Sequence, residues 1–321
     1  MKILCTIAHY FKPKADATYG SQGRDSADQR LFALRQCIAS LRQLYGPAQA
    51  ALRIRDRQAI VANEAFADTV DVVVCTTGGD HLMDQLGLPA QDLWHHRTQA
   101  QPMQLGYECH DVLRDALGKY DFYCFLEDDL VLHDPMFFVK LQWFNRFGND
   151  QNLLQANRYE VSAMAPVAKV YIDGPNAAKA TAAFQNIQEQ PVLDASVMGA
   201  ALRFERAINP HSGCFFLNQA QMQAWASKPF FMDRADSFIG PLESAASLGI
   251  MRTFRLYKAA ARNAAFLEIQ HMGTAYLGLV GREMRISPAL ATRMQGSAAT
   301  EMPAQTTGAD ADAAESAGPN S

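Results

Sequence analysis

The chain reads as an α/β protein with a mostly parallel central sheet sandwiched by helices. Strand-like runs alternate with amphipathic helical patterns through the first half, the order that builds parallel sheets. The runs Lys2–Ala8, Val70–Cys75 and Tyr120–Leu126 are predominantly apolar, as strands covered on both faces are. The third run ends in three consecutive acids, Glu127-Asp128-Asp129, at the strand end where ligands sit in open α/β sheets.

Taken in order, Lys2–Ala8 is a first buried strand rather than a leader segment, because His9 interrupts it and no small-residue cleavage site follows soon. The polar stretch from His9 to Asp25 is a long loop, and such loops often bind ligands. Ser26 with Gln29 forms a capping-box signature. Leu31, Leu34, Ile38, Leu41 and Tyr45 then fall on one helix face, until Gly46-Pro47 stops the helix. Residues 48–69 are ambiguous apart from a short strand at 59–61. Thr76–Asp80 turns the chain, and 87–101 is loop-rich. Pro102 opens a second helix that ends at Gly118. Asp134-Pro135 caps a third, with Phe137, Phe138, Leu141 and Phe144 on its apolar side.

The second half is less regular. Strand-like pieces occupy 160–172, and 177–190 is a helix or a loop. His211–Leu217 is a buried strand entered through Gly213, and Asn218 caps a helix over 219–225. A helix is expected over 240–249, and late strands over 254–257 and 266–269. From about Gln295 the chain is rich in small and polar residues that cannot bury enough apolar surface to order themselves.

Composition narrows the function classes. The 321 residues are 49% hydrophobic, enough for a sizeable core. The net charge is −4 with no long basic run, which argues against a general nucleic-acid binder. No stretch reaches the length of a membrane span. Six cysteines are scattered singly with no CxxC, so they read as reduced core residues of a cytoplasmic protein. No dinucleotide, Walker, nucleophile-elbow or HExxH motif is present.

The acidic triplet carries the chemistry. Neighbouring carboxylates repel by roughly a few kcal/mol at an effective dielectric near 20, so a bound cation relieves the cluster. Carboxylates suit a hard cation, Mn²⁺ or Mg²⁺, which also bridges to phosphate oxygens. If the strand's alternation continues into the turn, Glu127 and Asp129 share a face and Asp128 points elsewhere.

This pattern resembles the glycosyltransferases of the GT-A fold, whose Asp-x-Asp motif ends a central strand in the same way. Here the motif stands as Glu127-Asp128-Asp129, with Glu in the first position. The resemblance implies a nucleotide-diphospho-sugar transferase fold over 1–285. Residues 1–150 would form the nucleotide- and metal-binding half, 151–285 the acceptor half, and 286–321 a mostly disordered tail. It implies a metal-dependent transfer of sugar from a nucleotide-sugar donor to an unknown carbohydrate, lipid or protein acceptor. Asp129 would bind Mn²⁺ or Mg²⁺ directly, and Glu127 would contact the metal or the ribose. Asp128 would face the donor sugar, and His271, late in the domain, would be a further metal ligand. Tyr10 or Tyr19 would stack on the base, and Lys12 or Arg24 would reach phosphate. An inverting transfer needs a carboxylate base. Glu243, at the start of the 240–249 helix, is the first choice, with Asp236 and Asp233 in reserve. A retaining transfer would need no such base.

Two other classes use the same residues. A nucleotidyltransferase or phosphohydrolase would hold metal and phosphate on the same acids, but the loop after the first strand lacks the clustered glycines and basic residues of a nucleotidyltransferase. A non-catalytic protein of this shape would bind carbohydrate or cation without turnover. Three lesser features have plainer readings. His95-His96 point apart in a strand, Arg158 and Glu160 form a salt bridge, and Gly78-Gly79-Asp80 is an ordinary turn.

Overall fold

The computed structural model describes residues 1–12, 26–66, 68–89, 93–164, 166–175 and 178–298. Two compact units divide the chain, Met1–Gly278 and Leu279–Ser321.

In the first unit β1 (Lys2–Ala8) has Ile3 to Ile7 buried without a break. Helix α1 (Ala27–Tyr45) starts at the expected capping box, in which Ser26 and Gln29 satisfy each other's backbone N–H groups. A separate hairpin follows, β2 (Ala50–Arg53) and β3 (Gln58–Val61). Then come β4 (Thr69–Thr77), β5 (Trp94–Thr98), α2 (Leu105–Asp115) and β6 (Phe122–Glu127). Beyond the acidic turn lie β7 (Leu130–Val131), α3 (Phe137–Gly148), β8 (Asn152–Gln155), β9 (Asn157–Val161) and β10 (Lys169–Tyr171). The hairpin of β11 (Val192–Val197) and β12 (Ala200–Arg206) precedes β13 (Cys214–Asn218), α4 (Gln219–Ala226) and α5 (Pro241–Thr253). The unit closes with β14 (Arg255–Ala259) and β15 (Glu268–His271).

The central sheet runs β13-β6-β1-β4-β5. β6, β1, β4 and β5 are parallel, and β13 pairs antiparallel with β6. The mostly parallel α/β sheet is therefore present. Alternation along β1 splits its side chains between two cores. Ile3, Cys5 and Ile7 pack with α1 and α3 through Leu34, Ile38, Phe137 and Phe138. Leu4 packs on the other face with α2, α4 and α5 through Leu113, Trp225 and Leu248. All six cysteines are buried and unpaired. No helix among the described residues is long and apolar enough to cross a membrane.

Two smaller sheets flank the central one, β10-β9-β15-β7 and β11-β12-β14-β8. β7 leaves the acidic turn and joins the first of these, so the turn lies where two sheets meet. Several elements differ from expectation. β5 falls in the stretch read as loop, because an edge strand of sequence Trp-His-His-Arg-Thr has no apolar alternation. Of the two readings of 177–190, helix or loop, the loop holds among the described residues, with a single 3₁₀ turn at 178–180. The second unit contains helix α6 (Pro288–Ala298), where a tail was expected, and the Ser287 hydroxyl accepts the N–H of Leu290 at its start.

His110 lies in the α2/α5 core among Tyr107, Phe125, Phe215 and Trp225, and its Nε2 donates to the Ala245 carbonyl at 3.0 Å. Burial pushes its pKa down from 6.5 to about 3. Between those values the unfolded chain holds a proton that the folded chain does not, so this residue lowers stability as the pH falls. The expected loss is about 1.4 kcal/mol per pH unit below 6.5. Urea unfolding of the wild type and of His110→Phe at a series of pH values should show a shallower slope in the variant. Identical slopes would remove His110 from the account.

Candidate functional site

β6 ends at Glu127, and Asp128 and Asp129 form the turn into β7. The turn breaks the strand's alternation, so the three carboxylates take three environments. The expected pairing of Glu127 with Asp129, apart from Asp128, is corrected by the partners that each acid meets.

Asp128 is buried. His9, just past β1, contacts its Oδ2 through Nδ1 at 2.5 Å, and Arg30 of α1 donates to its Oδ1. Burial alone would raise its pKa, but Arg30 and His9 outweigh that and hold it below the usual carboxylate range. Asp128 is therefore enclosed by protein groups and does not face an open donor side. Its role is to tie β6 to β1 and α1.

Glu127 turns to the other side. Its Oε2 accepts from Arg158 Nη1 at 3.3 Å, and its Oε1 lies 3.7 Å from His211 Nε2. Burial pushes its pKa up to about 7, against the opposing pull of Arg158. Gly213 is required beside it. The glycine has φ +61, and a Cβ there would overlap the Glu127 carboxylate. Arg158 is fixed by three bonds to Asp173, at 2.7, 3.0 and 3.2 Å, and Lys258 stands 3.5 Å from the same carboxylate. A cleft of about 310 Å³ opens here, with Arg158, Asp173, Asn157, Tyr171 and Lys258 in its wall.

Asp129 remains half-buried, with Oδ2 3.2 Å from Arg30 Nη1 and 3.7 Å from His271 Nε2. Its Oδ1 is buried with no hydrogen-bond partner among the described residues. The β7/β15 register explains the encounter with His271. His271 pairs with Leu130, and the Met272 N–H donates to the Asp129 carbonyl at 2.8 Å. On its other side His271 Nδ1 is 3.0 Å from Oε1 of Glu160, a fully buried residue of β9. Glu160 is itself held by the Leu277 N–H at 2.7 Å. Burial works to lower the pKa of His271, but Asp129 and Glu160 raise it above its ordinary value. A carboxylate behind a histidine fixes the ring and its tautomer, the usual support of a metal-binding imidazole.

Among the described residues no group of three or more His, Cys, Asp or Glu is arranged to hold a metal by itself. Glu127 does not join Asp129 and His271, because Arg158 engages it. Asp129 and His271 still fit a hard cation. One oxygen is unpartnered, one ring nitrogen is aimed at the same carboxylate, and Mg²⁺ commonly takes only one or two protein ligands beside substrate phosphates.

The remaining expected residues lie as follows. Tyr10 is half-buried at the carboxyl end of β1, beside the exposed Lys12–Asp80 pair at 3.1 Å. Tyr19 and Arg24 lie outside the described residues. Glu243 stands in the first turn of α5, with a buried Oε2 that has no partner among the described residues. Asp236 is exposed on the loop before α5, and Asp233 pairs with Arg252 at 3.0 Å. Among the described residues no hydrogen bond or ion pair joins Glu243 or Asp236 to the acidic turn. Arg158 and Glu160 do not pair with each other as expected. They share a face of β9 and reach Glu127 and His271 separately. His9, Arg30, Asp173 and His211 were missed. Nothing local marks them, because each reaches the site from a different strand, helix or loop.

No protein-family profile matches the chain, and no curated protein does. Solved structures do resemble it across most of its length. One is a CMP:2-keto-3-deoxy-manno-octonic acid synthetase complexed with CTP (14% identity, 94% of this chain and 99% of that one, TM-score 0.33). Another is glucosyl-3-phosphoglycerate synthase from Mycobacterium tuberculosis with Mn²⁺, uridine-diphosphate-glucose and phosphoglyceric acid (13% identity, 92% and 80%, TM-score 0.36). A third is mouse xyloside xylosyltransferase 1 in its apo form (12% identity, 89% and 100%, TM-score 0.36). At these TM-scores the likeness carries no argument, and the reading of the site stands on its own residues.

Glu160→Gln should weaken Mn²⁺ affinity by about 10–100-fold, the usual effect of removing a carboxylate behind a metal-binding histidine. Isothermal titration of Mn²⁺ in the presence of a nucleoside diphosphate reads this directly. An affinity equal to the wild type would separate His271 from metal binding.

Proposed function

We propose that the chain is a metal-dependent glycosyltransferase of the GT-A kind that takes its sugar from a nucleotide-sugar donor. The observation that carries this reading is the convergence of Asp129 and His271 at the carboxyl end of the central sheet, with Glu160 orienting the histidine. Crevices at that end of an open α/β sheet are the usual place for nucleotides. The parallel order β6-β1-β4 and the acidic turn closing β6 support this reading.

In this reading Asp129 and His271 would hold a Mn²⁺ or Mg²⁺ ion. When bound, the ion offsets negative charge on the departing nucleoside diphosphate. Glu160 keeps the imidazole Nδ1 engaged, so that Nε2 is the nitrogen presented. Arg30 holds Asp128 and Asp129 together and fixes the turn against α1. The loop after β1, beginning at Tyr10, borders the nucleotide. The cleft beside Arg158 gives room for a polar substrate. For an inverting transfer Glu243 takes the proton from the acceptor hydroxyl. Its unpartnered oxygen suits that role, and Asp236 is the alternative.

Asp129→Asn is the decisive variant. A panel of nucleotide-sugars with Mn²⁺ should raise the melting temperature of the wild type for at least one donor, since a ligand bound only to the folded state stabilises it. The same donor should leave Asp129→Asn unshifted and unconverted. Product analysis identifies the reaction: free nucleoside diphosphate and transferred sugar are expected. Release of pyrophosphate or inorganic phosphate would assign a nucleotidyltransferase or a phosphohydrolase instead.

A further inference from the structure

The hairpin β2–β3 has no part in the site. It is inserted between α1 and the amino end of β4, whereas the acids lie at the carboxyl end of β6. It joins none of the other sheets, and every residue from Ala50 to Val61 is exposed. A lone two-stranded hairpin is marginal in water. Among the described residues it is tethered at its base, where the Ala62 N–H donates to the Gln49 carbonyl and Gln49 Nε2 donates to the last turn of α1.

Its composition is unlike the rest of the surface. Ala50 faces Val61 and Leu52 faces Ala59 across the ladder, so one side of the hairpin is wholly apolar. Leu52 and Ile54, near the tip, are 73% and 76% exposed. Arg53, Arg55 and Arg57 alternate with them against a single acid, Asp56, in a chain whose net charge is −4. Asp56 stands 3.7 Å from Arg53, and neither Arg55 nor Arg57 meets a carboxylate among the described residues. The tip also departs from backbone preference. Arg57 has φ 52, a left-handed position that glycine or asparagine holds more readily. A cation is thus presented at the tip where the turn alone would favour another residue.

We propose that this hairpin docks the protein on an anionic lipid surface. Leu52 and Ile54 enter the headgroup–acyl boundary while Arg55 and Arg57 meet lipid phosphates, the division of labour of peripheral membrane elements. Charge selects this occupant over two others. A second copy would bring two arginine-rich tips together. A nucleic acid would use the arginines but leave the apolar tip in water, and no aromatic residue lies between 50 and 61 to stack on a base. The inference is independent of the reaction catalysed at the acidic turn.

Vesicle flotation of the full chain tests it, with phosphatidylcholine vesicles with and without phosphatidylglycerol. The wild type should float with the phosphatidylglycerol vesicles at low salt, remain behind with phosphatidylcholine alone, and be released by high salt. The double variant Arg55→Glu/Arg57→Glu should lose about tenfold or more of its partitioning. Leu52→Ser/Ile54→Ser should also bind less, with an unchanged melting temperature because these side chains support no core. Equal flotation with both vesicle types would overturn the proposal, as would wild-type partitioning by both variants. So would a wild-type dimer in sedimentation equilibrium that Leu52→Ser/Ile54→Ser dissolves, since that result assigns the surface to a second copy.

Discussion

The site depends on a ladder of two residue pairs. β7 is only Leu130–Val131, and its pairing with β15 sets His271 opposite Leu130, one residue beyond Asp129. The Met272 N–H then closes on the Asp129 carbonyl. Because side chains alternate along a strand, a slip of one residue in β15 would turn His271 to the opposite face. The parallel pairing of β15 with β9 carries the same constraint onward, since it brings Glu160 behind the imidazole. Three residues distant in sequence therefore share one register.

Electrostatics shapes the same region. Three adjacent carboxylates would repel strongly if left together, and the fold separates them with its own arginines and hydrogen-bonding groups. Asp128 goes to His9 and Arg30, and Glu127 goes to Arg158. Asp129 shares Arg30 but keeps an oxygen without a partner among the described residues. A row of acids in a sequence thus need not mean that all three meet one ion. The informative residue is the one that the protein's own cations leave incompletely satisfied.

Much of the frame was legible in the sequence. The apolar runs of β1, β4 and β6 announce strands covered on both faces, and Ser26 with Gln29 marks the start of α1 through a local hydrogen-bond pattern. β5 was not legible because an edge strand needs no apolar face, and α6 was not because its composition matches that of a tail. The resemblance pointed to Asp129 and His271, which the structure brings within 3.7 Å of each other, but the separation of Glu127 from them was not legible. That separation follows from Arg158, whose position is set by Asp173 in a loop beyond β10. The Arg158–Glu160 pair shows the limit clearly. Opposite charges two residues apart suggest a salt bridge, yet each finds a partner from another element.

The account turns on His271 and Asp129 meeting at one cation with a nucleoside diphosphate. Pulsed electron paramagnetic resonance of Mn²⁺ bound with the nucleoside diphosphate of whichever donor stabilises the protein reads that contact without requiring turnover. The wild type should show a nitrogen coupling from a directly bound imidazole, and the coupling should vanish in His271→Ala. A spectrum with no nitrogen coupling, or one unchanged in the variant, would contradict the account.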